Sequence, residues 1–71
     1  MPSARASELQ RLAAKLGFVR ARQTGSHERW LHQDGRATTI PIHRGRDIGP
    51  PLLYRILEQL GTDLETLDRL R

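Results

Sequence analysis

The chain has 71 residues, enough for one domain spanning residues 1–71. A fold of that size buries only about 60% of the surface its unfolded chain exposes, so its core is one thin layer. Cysteine is absent, which excludes a disulfide framework and a thiolate metal site; no apolar run is long enough to cross a membrane. Twelve Lys and Arg against eight Asp and Glu leave a net charge of +4, and every cation but Lys15 is arginine. Arginine holds phosphate through a planar fork and stacks on bases, so the balance favours an anionic partner such as nucleic acid.

Met1–Arg5 lacks the apolar stretch of a signal peptide, and the expected location is the cytoplasm. Ser7-Glu8-Leu9-Gln10 is a capping-box pattern that predicts a helix start with Ser7 as N-cap. Leu9, Leu12, Ala13 and Leu16 then recur on one helical face, and Gly17 ends the element. A strand is predicted from Phe18 to Gln23, with Val19 and Ala21 inward and Arg20 and Arg22 outward. Thr24-Gly25-Ser26 supplies a turn and His27–His32 a second strand. Asp34-Gly35 marks a hairpin, and Ala37–Ile42 reads as a third strand that Pro41 restricts to an edge or an end.

His43–Gly49 reads as a loop. Pro50-Pro51 opens a second helix with Leu53, Ile56, Leu57 and Leu60 as its apolar stripe and Gly61 at its end. Thr62-Asp63-Leu64-Glu65 is a second capping box and starts a short final helix with Leu64 and Leu67 inward. The order predicts a two-layer α+β domain. It has an α-β-β-β-α arrangement, a three-stranded antiparallel sheet with both main helices on one face, and a short C-terminal helix.

Strand phase sorts the side chains. Trp30, the largest apolar group of the second strand, points inward, so His27, Arg29 and Leu31 point to the open face. Arg20 and Arg22 join them, and His43 does too if the third strand stays regular past Pro41. Histidine titrates near working pH and can act as general acid or base, while arginines stabilise phosphate charge. Such a face could cleave RNA without a metal or cofactor; Glu28, Asp34 and Asp47 are too scattered to suggest a two-metal centre. Each residue also has a plainer role: a histidine beside a turn is usually a surface residue, arginine rows are usually solvated, and Trp30 and His32 belong to the core side. Leu31 fits neither reading and points either to packing against a loop or to a contact with another protein.

Several features recur together in one known family. They are Leu16-Gly17-Phe18, Arg22-Gln23 ahead of Gly25-Ser26-His27, the aromatic Trp30, Asp34-Gly35, Ile40-Pro41-Ile42-His43 and Leu60-Gly61. In this order they resemble the HicA toxins, also called the YcfA-like family, of toxin–antitoxin pairs. The resemblance implies a fold similar to the double-stranded-RNA-binding domain and an mRNA interferase, a ribosome-independent endoribonuclease restrained by a HicB-type antitoxin. It implies His27 as the catalytic residue, with Gly25 and Ser26 shaping the turn that presents it and His43 in support. Arg20, Arg22, Arg29, Arg44 and Arg46 are the expected RNA contacts. The chain departs from the family at the second helix, where Pro51-Leu52 replaces a common Gly-Thr and offers fewer backbone donors to a phosphate. Two other readings share the fold: a non-catalytic double-stranded-RNA-binding module, and a degenerate toxin that only binds protein.

Overall fold

The computed structural model describes residues 1–71. The chain runs β1 (Ala4–Arg5), α1 (Ala6–Lys15), β2 (Val19–Thr24), β3 (His27–Leu31), β4 (Ala37–Pro41), β5 (Asp47–Ile48), α2 (Leu52–Leu60) and α3 (Leu64–Leu70). β2, β3 and β4 form the expected antiparallel sheet in that order. α1 and α2 both pack on β4, and α3 packs on α1, so the helices form one layer and the other sheet face is bare. One element was not foreseen: β1 and β5 pair as a two-residue ladder, Ala4 opposite Ile48 and Arg5 opposite Asp47.

The helix stripes fall where the periodicity places them. α1 buries Leu9, Leu12 and Ala13, and α2 buries Leu53, Ile56, Leu57 and Leu60. Each of these Leu and Ile side chains contributes about 1.5–3 kcal/mol relative to exposure. Two helix starts differ from expectation. α1 begins before Ser7: the Arg5 N–H donates to Glu8 Oε1 at 2.8 Å, which makes Arg5 the N-cap and frees Gln10 for another partner. α3 is capped by Asp63 rather than Thr62, because the Asp63 carboxylate accepts the Thr66 N–H at 2.9 Å. α2 ends as expected at Gly61, whose φ of 76° is left-handed. There the Arg36 guanidinium donates to the otherwise unpaired Leu60 carbonyl at 2.8 Å.

β3 alternates cleanly. Glu28 and Trp30 are buried; His27, Arg29 and Leu31 are exposed. β4 follows it, with Thr38 and Ile40 buried opposite Trp30 and Glu28. His32, expected on the core side, lies edge-on against Phe18 with ring centroids 5.1 Å apart.

β2 corrects the expected phase. Val19 is 67% exposed and stands opposite Leu31, so both lie on the open face. Arg20 stands opposite Trp30 and therefore faces the helix layer. A register shift between Arg20 and Arg22 then returns Arg22 to the open face, opposite Arg29. The shifted phase turns Arg20 toward Glu28, which is only 3% exposed. A carboxylate that deep needs donors. Gln10 Nε2 and Trp30 Nε1 donate to its Oε1 at 2.7 and 3.1 Å, and Arg20 Nη1 donates to its Oε2 at 3.1 Å. Burial by itself raises this carboxyl's pKa; the bonds from Gln10, Trp30 and Arg20, with the Arg20 charge, outweigh it and hold the carboxyl below the usual glutamate range. Gln10 reaches Glu28 from α1, so this cluster also joins helix layer to sheet.

Candidate active site

The site begins with a hairpin. Thr24 pairs with His27, leaving Gly25 and Ser26 as a two-residue loop. Gly25 has φ 57° and Ser26 does not adopt a positive φ, the pattern of a type II′ turn, whose first central position favours glycine. Gln23 Nε2 donates to the Gly25 carbonyl at 3.1 Å. The Ser26 carbonyl accepts the Ile42 N–H at 2.6 Å. Gly25 therefore makes the reversal, Ser26 ties it to the exit of β4, and His27 leaves the turn as the first residue of β3, exposed on the open face.

Pro41 stands opposite His27. The neighbouring Ser26–Ile42 pair is hydrogen-bonded, so the alternation of an antiparallel ladder makes His27–Pro41 a non-bonded pair. Such pairs bring side chains closest, with Cα atoms about 4.5 Å apart. Arg29–Thr39 has the same phase, and Arg29 Nη1 donates to Thr39 Oγ1 at 3.0 Å. Arg22 and Arg29 oppose one another across β2 and β3, and neither has a carboxylate partner.

The third strand ends at Pro41, so His43 does not reach the open face along a regular β4. It arrives by a turn instead. The Arg46 N–H donates to the His43 carbonyl at 3.2 Å, and Gly45 has φ 73°, as the third residue of a type II turn requires. The turn folds Arg46 back beside His43. His27, His43 and Arg46 thereby line one cleft, with Pro41, Asp47 and Leu52 also on its wall.

The structure thus gathers His27, His43 and Arg46, and places Gly25 and Ser26 in the supporting turn. Arg22 and Arg29 lie further along the same sheet face, and Arg44 is exposed on the His43–Arg46 turn. Arg20 does not join them; its guanidinium is committed to Glu28. Sequence reasoning missed Asp47 and Leu52 as cleft residues. Leu52 carried a signal, since it follows the two prolines and falls outside the buried stripe of α2. Asp47 carried none, because the β1–β5 ladder that positions it has no periodicity to read.

The cleft offers two imidazoles that can exchange protons and a guanidinium that can hold an anion, all open to solvent and to a large substrate. No helix is long and apolar enough to cross a membrane. Comparison with curated proteins finds no matching relative. A protein-family model described as the HicA toxin of bacterial toxin–antitoxin systems matches residues 6–62, which takes in α1, the whole sheet, the histidine cleft and α2. The chain belongs to the HicA toxin family.

Proposed function

We propose that this toxin is an endoribonuclease that cleaves mRNA in the cytoplasm, with His27 as the catalytic residue and a HicB-type antitoxin as its inhibitor. The observation that carries the reading is the cleft shared by His27, His43 and Arg46. In the reaction, one imidazole takes the proton of a ribose 2′-hydroxyl. The 2′-oxygen attacks the adjacent phosphorus, and the bond from phosphorus to the 5′-oxygen breaks. The second imidazole, as imidazolium, gives that leaving oxygen its proton. Products are a 2′,3′-cyclic phosphate and a 5′-hydroxyl. His27 and His43 are the two proton carriers, and Arg46 faces the charge that builds on the phosphoryl oxygens. Arg22, Arg29 and Arg44 hold the strand on either side.

The Arg22–Arg29 opposition adds support. Like charges directly across a sheet are destabilising, and an RNA phosphate between them would remove that cost. An acidic antitoxin surface would do the same, and complementary charge would also speed its association.

The test is RNA cleavage in the presence of a metal chelator. Wild type should yield fragments ending in 2′,3′-cyclic phosphate, and His27→Ala should leave the RNA intact and relieve growth arrest. Full cleavage by His27→Ala overturns the site. Tight, salt-sensitive binding by wild type with no cleavage overturns the enzyme reading in favour of a non-catalytic RNA-binding module.

A further inference from the structure

His43 and Arg46 line a second cleft on the far side of their turn. Arg5, Ser7 and Gln10 line it from the α1 side, and Arg44 lines it from the turn. The two clefts share His43 and Arg46, so they are neighbours separated only by that turn. The second is strongly cationic. Arg5, Arg44 and Arg46 are exposed, and none of the three forms an ion pair. No nearby acid forms an ion pair with them: Asp47 lies across the ladder from Arg5 without a salt bridge to it, and Glu8 Oε1 accepts the Arg5 backbone N–H and the Arg71 guanidinium. Three guanidiniums without ion-pair partners around one concavity form a site suited to an anion.

Taking the nuclease reading above as its basis, we infer that this second cleft is a phosphate subsite for RNA, in which Arg5 and Arg44 hold a backbone phosphate next to the one cleaved beside His27. The turn that carries His43 and Arg46 then serves both clefts: one side faces the reacting phosphate, the other its neighbour. The substrate is a strand that continues past the cleaved linkage, held by charge and not by base identity. Arg5 precedes the residues that match the family. It reaches the cleft only because β1 pairs with β5, so the ladder acquires a purpose in placing a cation beside the turn.

The test uses a short single-stranded RNA in which each phosphodiester in turn is replaced by a neutral methylphosphonate. Wild type first maps the cleaved linkage. Binding of every analogue is then measured with the full chain carrying His27→Ala, which keeps the RNA intact, and with the same chain also carrying Arg5→Ala and Arg44→Ala. Neutralising a linkage next to the cleaved one should weaken binding about ten-fold in the first protein. The same replacement should have no effect in the second, which binds unmodified RNA about ten-fold less tightly. If Arg5→Ala does not fold, Arg44→Ala alone, at an exposed turn position, gives the same comparison. Equal losses in both proteins at every linkage overturn the subsite, as does coupling only at a remote linkage or an absence of RNA binding. A coupled linkage in a chain whose wild type never cuts RNA upholds phosphate binding by Arg5 and Arg44 but overturns the nuclease reading and, with it, the placement beside a cleaved phosphate; cleavage without a coupled linkage keeps the nuclease reading and overturns the subsite.

Discussion

Glu28 and Arg29 are adjacent in β3, and the pleat sends them to opposite faces. Glu28 lies under the helices with three donors from three elements or neighbours, so its charge is spent inside the molecule. Arg29 touches only the Thr39 hydroxyl and stands opposite Arg22, so its charge is offered outward. The covered face satisfies each polar group that it buries; no buried side-chain nitrogen or oxygen lacks a partner. The open face keeps its cations unsatisfied. Charge on the first face belongs to folding and charge on the second to binding, and substitutions should separate the two.

The largest effect is expected at His27. His27→Ala should lower the RNA cleavage rate by about 10²–10⁴-fold while leaving stability within about 0.5 kcal/mol of wild type, read by initial rates and denaturant unfolding. A comparable loss of stability would mean that the open face also holds the fold together.

Glu28→Gln should show the opposite profile. It keeps one acceptor for Gln10 and Trp30 but sets an amide against Arg20. The expected cost is about 1–3 kcal/mol of unfolding free energy, with cleavage by the folded fraction retained. Because the Glu28 pKa is lowered on folding, its contribution is present above the unfolded glutamate value and is lost as pH falls through the folded one. Urea unfolding across the acid range should therefore show wild type losing stability there, and Glu28→Gln losing less over the same interval. Parallel curves would remove Glu28 from the account of acid sensitivity.

The smallest effects distinguish the arginines. Arg20→Ala should cost about 0.5–1 kcal/mol of stability, modest because its side chain is more than half exposed. Arg22→Ala should be neutral or stabilising by about 0.2–1 kcal/mol, since it relieves the opposition to Arg29. Arg22→Ala should also lower the slope of log binding constant against log salt by about 0.7 for single-stranded RNA. An unchanged salt slope would take Arg22 off the RNA path.

Much of this division is legible in the residues. Trp30 sets the phase of β3, and that phase alone puts His27 and Arg29 outside. It also puts Glu28 inside, although the reason a carboxylate survives there needs Gln10 from α1, eighteen positions away. β2 misleads because Val19 is apolar and Arg20 charged, so hydrophobicity points the wrong way; in the structure Arg20 meets Glu28 on the covered side and Val19 is left on the open face. Val19 in turn accounts for Leu31, since the two stand opposite each other as an apolar end to the open face. His43 reaches its place through a turn around Gly45, where strand periodicity has nothing to say. The capping patterns at Ser7 and Thr62 each sit within two residues of the true start, because Glu8 and Asp63 compete for the same backbone donors.

Pro41 has an effect beyond the cleft. In a non-bonded pair with His27 its backbone nitrogen faces away from β3, toward the free edge of the sheet, where an ordinary residue would present an N–H. A strand from another chain therefore finds no donor at that point of β4. At the other edge, β2 is interrupted by its register shift and flanked by Arg20 and Arg22. Each border of this three-stranded sheet thus carries one interruption that weakens it as a template for edge-to-edge growth.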